Sequence, residues 1–246
     1  MTVGPEKTGS RPKAYESIAV LLRERIIGGE LASGDRLPNE LVLAEEYGVS
    51  RATVREALRL LTAQDIIRTS KGAGGGSYVR VPRVDRINDF LQSSIDLLSV
   101  ADHVTIDELL EARALLEVPA ARLAAERRSE QDLESLRAAI PPGSAHLDRG
   151  ETFVQNREFH TVVLRTCGNA LLAIAAEPIF GVLMRNVARS TFTPRFNRRI
   201  GEQHLEITTA IEAADPDRAG ELMFDHLEVL RPVYAKAWRR ATRRPG

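Results

Sequence analysis

Apolar residues recur at helical spacing over residues 15–28, where Ile18, Leu21, Leu22, Arg25 and Ile26 fall in register and Gly28-Gly29 ends the run. A loop punctuated by Gly34 and Pro38 follows, and Asn39 is placed to cap a short helix whose apolar face is Leu41, Leu43, Ala44 and Tyr47. Gly48 stops it. Val49-Ser50 then leads into a third helix over 51–63, with Val54, Ala57, Leu58 and Leu61 inward and Arg51, Thr53, Arg55 and Arg59 elsewhere on its surface. Two short helices joined by a tight glycine-containing turn outline a helix-turn-helix. Residues 66–69 and 77–81 read as two short strands, and the glycine-rich segment 71–76 between them predicts a flexible hairpin tip, a wing.

Composition breaks at Pro82-Arg83, and beyond it almost nothing reads as strand. Amphipathic segments run over 85–100, 105–128, 129–140, 151–167, 170–190, 198–214 and 216–240. They are separated by Pro141-Pro142-Gly143, Gly168-Asn169, Thr193-Pro194 and Asp215-Pro216. The expected fold is therefore mainly α: three helices plus a β-hairpin wing, followed by an antiparallel bundle of about seven helices. The expected divisions are a disordered arm (1–13), a winged helix-turn-helix (14–82), an all-helical domain (83–240) and a basic tail (241–246).

The 246 residues suffice for two cores, and 43% hydrophobic with 28% charged residues is ordinary for a globular chain. No apolar run approaches the roughly 20 residues that span a bilayer. The polar start of the chain has no apolar stretch of the kind a secretory signal carries. A single cysteine, Cys167, rules out an intramolecular disulfide framework, which fits an expected cytoplasmic location. Net charge is zero, but up to Arg83 there are 13 Lys and Arg against 10 Asp and Glu, and 21 against 24 beyond it. That asymmetry is too mild to argue for nucleic acid; the placement of the arginines matters more.

A recognition helix needs its first turn free to enter the major groove, with short polar and Arg side chains reaching bases and phosphates. Ser50-Arg51-Ala52-Thr53-Val54-Arg55 supplies this, with Ser50 as N-cap and Arg51 and Arg55 one turn apart on one face. The bland alternative pairs these arginines with Glu45, Glu46 or Glu56 on an ordinary solvated helix. Against it stands the whole succession of helix, tight turn, helix and glycine-rich hairpin. Gly34-Asp35-Arg36-Leu37-Pro38-Asn39-Glu40, then residues 48–58, and Gly74-Gly75-Gly76-Ser77-Tyr78-Val79 closely resemble the winged helix of the GntR superfamily, over residues 14–81. That resemblance implies that Arg36, Ser50, Arg51, Thr53 and Arg55, with the wing at Lys71 and Gly72, contact double-stranded operator DNA. Two positions depart from it. Asp65 stands where the family usually has glycine, and Leu41 where some members carry an arginine.

Asn156 and His160 are one turn apart on a helix face, and His204 and His226 sit within two later helices. Side chains from facing helices of a bundle commonly hold a divalent cation, histidine being the usual ligand. Any one of these histidines by itself reads as a core or surface residue. His103 and His146 fall near loops and read as solvent-exposed.

Residues 111–117, Asn156-Arg157-Glu158-Phe159-His160, 168–172, His204 and His226 resemble, in order, the helical ligand-binding (FCD-type) domain of the FadR-like branch. Seven helices favour that branch over its six-helix relatives. The resemblance implies that Asn156, His160, His204 and His226 hold Zn, Ni or Mn, with open positions for water or an effector carboxylate. Asn156 is neutral and a weaker ligand than aspartate. Arg113 could clamp the carboxylate bidentately or simply pair with Glu117 or Asp96, and Arg185 and Asn186 are further candidates for the effector pocket. The expected protein is a homodimeric repressor, reading a near-palindromic operator and released by a small hydroxy- or keto-acid. The rivals are a fatty acid or acyl-CoA sensor without a metal, and a metal-dependent hydrolase. No His-Glu-x-x-His pattern or nucleophile motif supports the last, so no enzyme is expected.

Overall fold

The computed structural model describes residues 13–72, 75–140, 149–187 and 193–242. The arm 1–12, Ala73-Gly74 of the wing, His146 and the end of the basic tail lie outside them. Contacts divide the chain into two units, at Arg83 and Val84.

The first unit runs α1 (Ala14–Ile27), α2 (Glu40–Tyr47), α3 (Arg51–Ala63), β1 (Ile67–Ser70) and β2 (Gly76–Val79). Local chemistry sets each end. Asn39 Oδ1 accepts the backbone N–H groups of Leu41 and Val42, two of the donors that a helix start leaves unpaired. Gly48 closes α2 at φ 64°, a left-handed backbone that glycine adopts at no steric cost. Two residues later Ser50 Oγ accepts from Thr53 N and opens α3. The tight turn between the two helices follows from these two caps.

The two strands pair antiparallel, Ile67 opposite Val79 and Ser70 opposite Gly76. Asp65, just before β1, has φ 58°. This is the conformation that favours glycine, and Arg80 Nη1 lies 2.6 Å from the Asp65 carboxylate. The core gathers Ile18, Leu22, Leu37, Leu43, Val54, Ala57, Leu58, Leu61, Ile67 and Val79. All four inward positions expected of α3 are buried. Leu21 and Leu41, placed on apolar faces by spacing alone, are exposed.

The second unit consists of α4 (Val84–Val100), α5 (Ile106–Arg127), α6 (Glu130–Ala138), α7 (Arg149–Thr166), α8 (Ala170–Val187), α9 (Pro194–Glu212) and α10 (Pro216–Thr242). Capping boxes Thr105–Glu108 and Ser129–Asp132 start α5 and α6. The helix expected from residue 198 begins four residues earlier: Thr193 Oγ1 accepts from Phe196 N, with Pro194 at the first helical position. Helices α5, α8 and α10 run on through Pro119, Pro178 and Pro232. Helix α5 is central, packing on α7, α8, α9 and α10. Its Ala120, Ala121, Ala124 and Ala125 are fully buried, small side chains that let those neighbours come close. Phe159, Phe180, Leu183, Ile207, Ile211, Met223 and Tyr234 fill the space around it. Among the described residues no helix is long and apolar enough to cross a membrane.

Candidate metal centre and DNA-binding face

Histidines from α7, α9 and α10 meet at the middle of the helical unit. His160 Nε2 lies 3.2 Å from His226 Nε2, which lies 3.3 Å from His204 Nε2. All three rings are buried, at 1%, 4% and 0% exposure. Phe159, the residue before His160, stacks on His204 with centroids 3.8 Å apart, fixing that ring's plane.

The partners on the other ring nitrogens decide what these imidazoles present. Glu117 Oε2 lies 2.5 Å from His160 Nδ1, and Gln203 Oε1 lies 3.2 Å from His226 Nδ1. A carboxylate and an amide oxygen only accept, so both Nδ1 atoms carry the proton and both Nε2 atoms present lone pairs to the cluster. Among the described residues, Arg113 Nη2 lies 3.0 Å from the lone pair of His160 Nε2, and His204 Nε2 lies 3.3 Å from that of His226.

Electrostatics agree. Burial pushes His160 below its ordinary pKa, opposed by Glu117 and reinforced by Arg113. Burial, with the neighbouring imidazoles and Arg113, pushes His204 and His226 well below theirs. All three are therefore neutral near pH 7, the form that ligates metals. Burial alone would raise Glu117, but Arg113 and His160 outweigh it and hold the carboxyl at about 2. Arg113 Nε donates to Glu117 Oε1 at 2.6 Å, and the guanidinium sits over the rings of Phe180 and Tyr234. The salt bridge to Glu117, the bland alternative for Arg113, is thus present, and it lies against the histidines.

The residues fit a divalent cation on three observations. Metal–nitrogen bonds of about 2.0–2.1 Å in a tetrahedral site place nitrogens about 3.3 Å apart, matching the two short edges of the cluster. All three ligand atoms lie within 4.8 Å of one another. One turn before His160, Asn156 has its Oδ1 buried without a hydrogen-bond partner, while its side chain hydrogen-bonds the Tyr234 hydroxyl. Carboxylate or amide partners behind metal-ligating histidines are the usual supporting arrangement. Spacing in the sequence paired Asn156 with His160, and the family resemblance completed the set of four ligand candidates with His204 and His226. Spacing named Glu117 only as a partner for Arg113 and missed Gln203 and Tyr234.

Arg185 is not part of this cluster. Its side chain is 60% exposed and pairs with Asp96 at 2.6 Å, because that side of α8 faces α4. The side chain of Asn186 lies outside the described residues. His103 is exposed.

In the first unit Arg51 is exposed and makes no ion pair among the described residues, whereas Arg55 is held by Glu40 at 2.7 and 3.1 Å. Glu40 opens α2, so this clamp ties the two helices of the motif together, and it is not one of the glutamates spacing suggested. The Ser50 hydroxyl is spent on Thr53, accepting its N–H and lying 2.8 Å from its Oγ1. Arg36 pairs across to β2 at Tyr78, and its guanidinium donates to Gly75 O at the hairpin. Lys71 and Gly72 are exposed at the tip, Gly72 with φ 107°.

Comparison with known proteins adds an independent line. The family described as bacterial regulatory proteins, gntR family, matches residues 14–77, and the FCD domain matches residues 108–229. The transcriptional regulator LutR of Bacillus subtilis is 31% identical over 82% of this chain and 92% of its own length. The Exu regulon transcriptional regulator of Escherichia coli is 30% identical over 88% of this chain and 82% of its own. Among solved structures, a GntR protein of Streptococcus agalactiae superposes with a TM-score of 0.54 at 25% identity, over 89% of this chain and 99% of that one.

Proposed function

The chain belongs to the GntR family of bacterial regulatory proteins and carries an FCD domain, and from that premise we propose that it senses a small carboxylate through a divalent cation and adjusts its grip on operator DNA accordingly. It is a DNA-binding transcription regulator with a ligand-binding domain, and its relatives are regulators rather than enzymes. The observation that carries the sensing reading is the convergence of His160, His204 and His226 from three helices, with two Nδ1 atoms already engaged.

Asn156, His160, His204 and His226 would hold the cation, whether Zn, Ni or Mn. When bound, it would supply a Lewis-acidic charge that holds an effector carboxylate. Glu117 and Gln203 orient the imidazoles, and Arg113 offers a guanidinium to the same carboxylate. A polar cluster of this kind favours a short hydroxy- or keto-acid over a fatty acyl chain, which needs an apolar cavity. Glu117 is committed to two partners and held strongly acidic, so it is no general base, which disfavours the hydrolase.

In the other unit Arg36, Arg51, Thr53, Arg55, Lys71 and Gly72 form the DNA-facing set. Ser50 acts mainly by capping α3, since its hydroxyl is already used. Exposed apolar residues on α4, among them Phe90 and Leu97, give a second copy something to cover, which supports a homodimer on a near-palindromic operator. Repression is relieved if the liganded dimer binds the operator less tightly than the free one.

The test is metal analysis of the purified chain with a thermal-shift screen of hydroxy-acids, keto-acids and acyl-CoAs. Stabilisation by short acids that depends on metal supports the reading. Stabilisation by acyl-CoA in the presence of chelator contradicts it.

A further inference from the structure

The charge at the histidine cluster has a consequence for how a cation binds there. The three imidazoles are neutral, Asn156 is neutral, and Arg113 and Glu117 cancel one another. A divalent cation among them would bring two positive charges into the fully buried centre of the bundle with no net anionic ligand to balance them, which is expensive in a low-dielectric interior.

Arg113 adds a second cost. Its Nε is used by Glu117, its Nη2 faces His160 Nε2, and its buried Nη1 has no carboxylate or imidazole acceptor, the guanidinium's remaining partner being the neutral Tyr234 hydroxyl. A cation on His160 Nε2 takes the lone pair that Nη2 now uses. The Nη2 of a buried guanidinium then loses its imidazole acceptor, leaving the Tyr234 hydroxyl as the one neutral acceptor beside the terminal amino groups, and an under-satisfied charged donor of this kind is costly. A carboxylate repairs both defects. It brings negative charge, and its two oxygens match the Nη1/Nη2 fork.

We propose that cation and carboxylate bind this site as a coupled pair, each weak without the other, because Asn156 contributes no charge and cation entry strips Arg113 of its imidazole partner. This rests on the reading that the histidines hold a divalent cation, and it adds that the cation is not a permanent fixture but arrives with the effector. Linkage then requires that the cation raise carboxylate affinity by the factor by which the carboxylate raises cation affinity. The site reports the two together.

The experiment is a calorimetric titration of Zn2+ into the chelator-stripped full-length protein in acetate and, at equal ionic strength, in nitrate, which coordinates weakly. Zn2+ affinity is expected to be about tenfold or more higher in acetate, within the range of ordinary coupling. Asn156→Asp supplies the missing charge and is expected to bind Zn2+ in nitrate about as tightly as the wild type does in acetate. Arg113→Lys keeps the charge but loses the fork, and most of the acetate effect should go with it. Equal Zn2+ affinity in the two salts, with Asn156→Asp and wild type indistinguishable in nitrate, overturns the coupling and leaves the histidine site standing. No Zn2+ binding in either salt overturns both.

Discussion

Glu117 Oε2 and His160 Nδ1 lie 2.5 Å apart at the buried centre of the helical unit, the carboxylate at the same time taking the Nε–H of Arg113. One side chain thereby sets the tautomer of a candidate ligand and neutralises the Arg113 guanidinium beside it. Glu117→Gln keeps an acceptor but removes the charge. Breaking a buried pair of this kind typically costs about 3–5 kcal/mol, and losing the partner of a metal-bound histidine about 10–100-fold in metal affinity. Both are expected here, measured by chemical denaturation of the stripped protein and by Zn2+ titration. A variant with wild-type stability and Zn2+ affinity would show that the pair is incidental.

Arg51→Ala and Arg55→Ala should each weaken operator binding about tenfold or more, one bidentate base contact being worth roughly that much. Neither should move the denaturation midpoint appreciably. Both side chains are exposed, and the Arg55–Glu40 pair is a surface pair of little net worth. A loss of stability like that of Leu58→Ala, a buried position, would contradict the exposed placement.

Operator affinity should fall steeply with salt. If a dimer covers about six to eight phosphates, log K against log salt has a slope of about −5 to −7. A slope shallower than about −2 would mean that the winged helix is not the principal contact.

The stripped protein should lose stability as pH falls below about 6.5. Burial keeps His160, His204 and His226 below their ordinary value of 6.5, so the unfolded chain takes up protons there that the folded chain refuses. Stability is thus present above 6.5 and lost as pH drops toward the folded values, at up to about 1.4 kcal/mol per pH unit for each histidine. Glu117 acts in the same direction in a lower window, between 4.5 and about 2. Denaturation midpoints measured across the upper window should show this slope, flattened in His226→Gln; a flat wild-type profile would contradict the neutral, buried cluster.

What the sequence made legible follows from periodicity. Val54, Ala57, Leu58 and Leu61 lie on one stripe of α3 and are buried as a set, and Asn156 and His160 share a face because they are one turn apart. Partnerships between elements were less accessible. Glu117 is one turn from Arg113, which accounted for it locally, while His160 lies far along the chain and meets it only once α5 and α7 pack. Glu40 reaches Arg55 through the angle between α2 and α3, which no spacing rule encodes. Leu21 and Leu41 show the same limit from the other side. An apolar residue at the margin of a stripe stays in solvent if no neighbouring element covers it.

The most direct measurement takes an operator fragment selected from random DNA by the protein itself and follows its binding by fluorescence anisotropy. Affinity is measured with Zn2+ across a panel of short hydroxy- and keto-acids, for the wild type and for His226→Ala. At least one acid is expected to shift wild-type affinity about fivefold or more, only with Zn2+ present. His226→Ala should bind DNA like the stripped wild type and respond to none. An acid response that survives in His226→Ala or in chelator, or no response to any acid in the wild type, would contradict the account.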